Sequence, residues 1–144
     1  MIRARPPLLP AIALLAAQGL PTDDLTDEHL ENFFFVGSDG SPIGLVGLEI
    51  YGRDALLRSL AVGESERGRG LGSRLVKRAE SHAKAQGVRA IYLLTTTADG
   101  FFARLGYSRI DRSGASALIQ GTKEFATLCP ASAALMTKKF RGAS

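Results

Sequence analysis

The segment Arg67-Gly68-Arg69-Gly70-Leu71-Gly72-Ser73 constrains this chain more than any other. Alternating glycines neither extend a strand nor build a helix cheaply, and they leave backbone N–H groups unshielded, so several can face one anion. Before the segment runs Leu56-Leu57-Arg58-Ser59-Leu60-Ala61-Val62, apolar enough for a strand. After it, Leu71, Leu75, Val76, Ala79 and Ala83 recur at helical spacing. A glycine-rich turn between a strand and a helix N-terminus, with Arg67 and Arg69 as charge-assisted donors, is a cradle for a diphosphate.

Two nucleotide motifs are excluded by spacing. Gly63 and Gly68 have the spacing of a P-loop, but Arg69-Gly70 stands where that loop needs Lys and Ser or Thr. A dinucleotide fingerprint fails because Ser73 occupies its third glycine position, and no acidic residue follows at the required distance.

The rest of the sequence predicts a mixed α/β fold with a hairpin half and a β-α-β half. A short strand at 2–5 leads to a helix at 8–18, with Leu8, Ile12 and Leu15 on one face. Phe33, Phe34, Phe35 and Val36 read as a strand, turning at 37–42 into a return strand at 43–51. A second turn at 52–54 opens the strand before the glycine loop. Glu80 and Lys84 have the spacing of a helical ion pair, and Gly87 gives that helix its stop. Residues 90–95 are a buried strand, 101–105 a short helix ending at Gly106, and strands follow from Tyr107 and over 134–140.

Composition bounds the function. With 144 residues, 45% hydrophobic and 22% charged, the chain is a single domain, 1–144, large enough for one core. One cysteine, Cys129, excludes an internal disulfide framework and a multi-cysteine zinc site. Net charge is +4, with Arg67, Arg69, Arg74, Lys77 and Arg78 inside twelve residues, which favours an anionic partner. That partner is not nucleic acid, because Phe33, Phe34 and Phe35 form a block without interleaved basic residues. The apolar run 8–17 after Arg3 and Arg5 has the outline of a secretory signal, but Pro10 interrupts it and no small-x-small cleavage site follows. It is too short to span a membrane, so a cytoplasmic protein without a membrane partner is expected. His29 and His82 have no visible ligand partners, and no metal is expected.

Arg67-x-x-Gly70-x-Gly72, on its strand-turn-helix frame, resembles the acyl-CoA loop of the GNAT superfamily of N-acetyltransferases. Phe101-Phe102-Ala103-Arg104-Leu105-Gly106-Tyr107 resembles that family's second signature, an aromatic pair followed by Leu-Gly-aromatic. A narrower resemblance, carried by Gly19-Leu20-Pro21, the strand at 56–62, Leu93-Leu94-Thr95-Thr96-Thr97-Ala98 and Leu128-Cys129-Pro130, is to the small acetyltransferases of arsenic-resistance operons. Related enzymes acetylate the amine of glutamate-like phosphinic or arsinic amino acids.

The resemblance implies a mostly antiparallel sheet flanked by helices, acetyl-CoA as cosubstrate, no metal, and a small amine as acceptor. It places the pantetheine arm along Leu60, Ala61 and Val62, with an N–H at Ala61 or Val62 facing the thioester oxygen. The diphosphate falls to Arg67, Gly68, Arg69, Gly70, Leu71, Gly72 and Ser73. Phe102 joins the cofactor site at the position where the family usually carries a tyrosine that protonates the departing thiolate, which phenylalanine cannot do. An acyl-CoA sensor without catalysis is therefore the competing reading.

Glu49, a carboxylate in an apolar strand, is the candidate base, against a reading as the ion-pair partner of Arg58. Arg58 either grips a substrate carboxylate or pairs with Glu49. Thr95 either binds substrate or caps the next helix. The acceptor pocket is expected from the hairpin and the connection 113–130. A homodimer through the sheet edge or last strand stays open, with no residue pattern that points to it.

Overall fold

The computed structural model describes residues 1–122 and 133–140. Seven strands form one sheet in the order β1-β2-β3-β4-β5-β7-β6, and helices flank it. In chain order they are β1 (Arg3–Ala4), β2 (Phe33–Ser38), β3 (Ser41–Tyr51), β4 (Asp54–Val62), β5 (Ala90–Thr95), β6 (Ser108–Ile110) and β7 (Ala134–Lys139). The helices are α1 (Leu8–Ala17), α2 (Leu71–Ala85), α3 (Asp99–Arg104) and α4 (Ala117–Gln120). The mixed α/β expectation holds. No helix among the described residues is long and apolar enough to cross a membrane.

The described residues divide into two compact units: Met1–Glu49 with Leu57–His82, and Ile50–Leu56 with the described part of Ala83–Ser144. In the first, β1 and β3 pair antiparallel with β2. The expected turn at 37–42 is tighter than the composition suggests. Gly37 adopts φ 108° at a register shift after Val36, so β2 continues to Ser38 and only Asp39 and Gly40 make the turn.

Phe33, Phe34 and Phe35 are all buried, because β2 is covered on both faces. Phe33 and Phe35 enter a cluster with Ala11 and Leu15 of α1, Leu25, Leu30, Leu45 and Ala61. Phe34 meets α2 instead. The His82 ring stands edge-on to it at 5.2 Å, and the Arg78 guanidinium lies 4.5 Å from its centroid. His82 Nε2 donates to Asn32 Oδ1 at 3.1 Å. Burial, helped by neighbouring Arg78, holds its imidazole below the ordinary range. Three buried rings give no exposed stacking platform.

The apolar face read for α2 is the buried one: Leu71, Leu75, Val76, Ala79 and Ala83 are at most 5% exposed. Glu80 is buried as well, and Lys84 sets its ammonium 4.6 Å over the Phe140 ring. Gly87, at φ 88°, ends the helix while Val88 N–H returns to Ala83 O at 3.0 Å.

In the second unit β5 lies parallel to the start of β4, pairing Asp54, Ala55 and Leu56 with Ala90, Ile91 and Tyr92. The last strand inserts itself, since β7 pairs antiparallel with both β5 and β6. Leu56, Ala90, Tyr92, Ala115, Ile119 and Leu135 form this unit's core. The short helix α3 starts two residues before the expected position, at Asp99, and Gly106 follows it at φ 98°. Cys129 and much of the connection 113–130 lie outside the described residues.

Gly47 is fixed by packing rather than by a turn. A Cβ there would fall 2.2–2.5 Å from three atoms of the Phe33 ring, which is itself fully buried. Gly47→Ala is therefore expected to destabilise the fold by about 1–3 kcal/mol, read from the urea midpoint at unchanged slope.

Candidate functional site

β4 changes character at Arg58 and Ser59. An arginine in an apolar strand must either reach water or bring its counter-charges inside. Here the Arg58 side chain has 0% exposure. Its Nη2 donates to Asp24 Oδ1 at 2.8 Å, while Nη1 donates to Asp24 Oδ2 and, at 2.6 Å, to Glu49 Oε2. Nε donates to Ser59 Oγ at 3.0 Å. The fork is bidentate on Asp24, which comes from the loop after α1, and shares one nitrogen with Glu49 from β3.

Ser59 takes φ 59°, a left-handed conformation inside a strand that costs a non-glycine residue about 1–3 kcal/mol. The surrounding bonds hold it there. Ala55, Leu56, Leu57, Arg58 and Ser59 are buried in succession, and only after Ser59 does the strand alternate, with Leu60 and Val62 half-buried around buried Ala61.

Glu49 and Arg58 do form an ion pair, which orients the Glu49 carboxylate. Arg58 offers no open fork: a substrate carboxylate would have to displace Asp24. Asp24 was not singled out in the sequence, because nothing local marks it, lying 34 residues from its partner. Burial pushes the Asp24 carboxyl up, but the hydrogen bond and charge of Arg58 outweigh that, with help from His29, and the net shift is below its usual 3.8.

His29 is also closer to chemistry than its sequence position suggests. It accepts or donates at Thr26 Oγ1, 3.0 Å away, and ligand atoms of Asp24, His29 and Glu49 lie within 4.8 Å of one another. That spacing suits a cation, but Arg58 already engages oxygens of both carboxylates, and a metal would compete for them.

The glycine-arginine loop leaves β4 through a 3-10 turn, Glu64–Glu66, and opens α2. Gly68 and Gly70 stand at φ 83° and 77°, where a side chain is strained, and a Cβ at either would meet nothing within 4 Å. Arg74 N–H makes the first helical bond to Gly70 O at 3.2 Å. Earlier N–H groups of the turn are at the helix N-terminus, where anions are stabilised. Arg69 is largely exposed, 3.6 Å from Glu66. Arg67 is exposed but tied back to the chain, donating to Gln18 Oε1 at 2.6 Å and to Val62 O at 3.4 Å. Leu71 contributes only backbone here, because its side chain is buried in the core.

Thr95 and Phe102 lie in the second unit. Thr95 Oγ1 accepts from Ala98 N–H at 2.9 Å, closing the turn before α3, whose own cap at Ala98 makes no side-chain bond. Phe102 is 5% exposed, edge-on to Phe101 at 5.0 Å and to Tyr107 at 5.6 Å. Tyr107 is itself buried, with the Lys138 ammonium 5.6 Å from its ring.

The model of the acetyltransferase (GNAT) family matches residues 8–107. The chain belongs to that family. An uncharacterised N-acetyltransferase of Chlorobaculum tepidum is 38% identical over 86 residues, 59% of this chain and 55% of the relative. An amino-acid acetyltransferase of Ralstonia nicotianae is 29% identical over 85 residues, 58% of this chain and 19% of that one. The chain thus spans about half and about a fifth of the curated relatives it matches. In fold it is similar to N-acetylglutamate synthase from Neisseria gonorrhoeae, solved with coenzyme A and N-acetyl-glutamate. The TM-score is 0.82 at 18% identity, over 98% of this chain and 35% of that one. A Mycobacterium tuberculosis protein solved with CoA gives 0.78 at 20% identity, over 98% and 99% of the two chains.

The buried cluster makes a pH-resolved prediction. Replacing Arg58 by Met leaves two buried carboxylates without their cation and is expected to cost about 3–5 kcal/mol. Asp24→Asn costs less, since Glu49 still faces Arg58. Because the Asp24 carboxyl is lowered in the folded state, its contribution is complete above the unfolded value of 3.8 and fades as pH falls below it. Urea titrations from pH 7 to pH 3 should show wild type and Asp24→Asn separated at neutral pH and converging below pH 3.8.

Proposed function

We propose that this chain is a cytoplasmic, acetyl-CoA-dependent N-acetyltransferase whose acceptor is the amine of a small, amino-acid-like molecule. The observation that carries the cofactor is the loop after β4. Its left-handed glycines have open space where side chains would be, at the N-terminus of a basic helix. That fits a diphosphate held by backbone N–H groups of Gly68–Ser73, with Arg69 as an exposed cation beside it.

Acetyl-CoA supplies an activated acyl group. The chain's part is to fix it and to prepare the amine. Leu60, Ala61 and Val62 offer backbone groups for the pantetheine arm, and the break at Ser59 changes which of them face outward. An N–H on the thioester oxygen at Ala61 or Val62 is an interaction worth about 3–4 kcal/mol in other enzymes.

Glu49 takes the proton from the acceptor's ammonium. Arg58 holds one of its oxygens and fixes the carboxylate's orientation, so Arg58 and Asp24 are positioning residues in this reading. Asp24, Glu49 and Arg58 together carry one net negative charge, which attracts an ammonium and repels a carboxylate. The acceptor's amine therefore belongs here and its acidic groups elsewhere.

The amino-acid-like acceptor is supported by the amino-acid acetyltransferase and the N-acetylglutamate synthase among the similar proteins. A glutamate-like arsinic or phosphinic toxin, and with it a part in arsenic resistance, is the finer reading from the sequence resemblance. Phe102 favours a second reading, a non-catalytic acyl-CoA sensor, because its ring has no proton to give the leaving thiolate.

Thiol release from acetyl-CoA, measured across glutamate and its phosphinic and arsinic analogues, separates these. Turnover is expected on at least one, with Glu49→Gln lowering kcat/KM by about a hundredfold or more. CoA binding without turnover on any amine would leave the sensor.

A further inference from the structure

We propose that Gln18 is a positioning residue for the diphosphate loop, acting through Arg67 and the Val62 carbonyl. This rests on the acetyl-CoA reading above. Gln18 closes α1, its own N–H bonded to Leu15 O at 3.0 Å, and Gly19 follows at φ 71°. Its side chain turns to the far end of β4. Nε2 donates to Val62 O at 3.2 Å, and Oε1 accepts from Arg67 Nη2 at 2.6 Å. Arg67 Nε completes the ring on Val62 O at 3.4 Å. The amide can face only one way. Turned over, it would set its NH2 against the guanidinium and its oxygen against the carbonyl.

The ring sits where the loop most needs a fixed point. β4 ends with Gly63 N–H on Ile43 O at 2.7 Å, and the 3-10 turn follows, closed by Glu66 N–H on Gly63 O at 2.8 Å. Beyond Arg67 the backbone is exposed, and at Gly68 and Gly70 nothing lies within reach of a side chain. Arg67 is thus the last residue before the cradle that is tied back to the fold.

An exposed arginine ordinarily samples many rotamers. Gln18 holds this one, so a cation stays at the loop's mouth and Val62 and Arg67 keep their spacing. The task needs a donor and an acceptor on one flexible side chain. Glutamate supplies the acceptor alone, and methionine, of similar length, supplies neither. The bonds are partly exposed, so their loss is expected in ligand affinity rather than in folding.

Calorimetric titration of the whole chain with CoA, and separately with pantetheine, which has no diphosphate, tests this. Q18M is expected to weaken CoA about tenfold, the equivalent of one charge-assisted bond, and to weaken pantetheine less, because pantetheine has no diphosphate for Arg67 to meet. Q18E keeps the acceptor for Arg67 but loses the donor to Val62 O, so its CoA affinity should fall between wild type and Q18M. Q18M added to Arg67→Met should weaken CoA no further than Arg67→Met alone, because the two act as one unit.

CoA affinity unchanged in Q18M, equal loss for pantetheine, no recovery in Q18E, or additive effects with Arg67→Met would each overturn the proposal. So would a Q18M protein whose circular dichroism departs from wild type, which would make Gln18 a residue of the fold. Wild type that binds no CoA overturns the cofactor reading instead, and this inference with it.

Discussion

A guanidinium with no exposed surface is the constraint around which the first unit is arranged. Arg58 cannot be charged and buried without carboxylates on the same spot, and no neighbour in β4 provides one. Asp24 must therefore come in from the loop after α1, and Glu49 from β3. Meeting that demand brings the loop end against β4 and gives the left-handed turn at Ser59 its support. The same cluster sets the local chemistry. One cation shared between two anions leaves a negative remainder, and a region poised that way receives an amine better than an acid. Structure and proposed function thus draw on a single electrostatic balance.

Much of the fold was legible because it is locally encoded. The α2 face at Leu71, Leu75, Val76, Ala79 and Ala83 follows from a period of 3.6, and β5 matches its apolar run at both ends. The places where sequence and structure part are non-local. Nothing in residues 134–140 says that they enter the sheet between β5 and β6, because pairing partners are chosen by the whole sheet. The first turn is narrower than its composition suggests, for a more local reason. Gly37 looks like a turn residue but serves a register shift, which keeps its strand going two residues further.

The two halves of the candidate site differ in the same way. A diphosphate is bound by backbone, so what matters is where side chains are missing, and glycines at fixed spacing announce that in the sequence. Its supporting residue was not announced: Gln18 lies 49 positions from Arg67 and has no motif. On the acceptor side nearly everything is of this second kind. Asp24, His29, Glu49 and Arg58 meet only because the fold closes, and singly each has an ordinary explanation as surface charge, cap or ion pair.

This asymmetry explains why the comparisons establish a family more readily than an acceptor. Backbone recognition needs only a short pattern of glycines at a helix start, and the fold alone is shared with one solved structure at 18% identity over 98% of this chain. Recognition by side chains gathered from distant loops can change at each position without disturbing the sheet beneath. In this chain the outcome is a closed arginine fork where an open one was conceivable. Asp24, a single loop residue, occupies the place that an acceptor's carboxylate could otherwise have taken. Acceptor choice in such a site is decided less by which arginines are present than by whether the fold has already neutralised them.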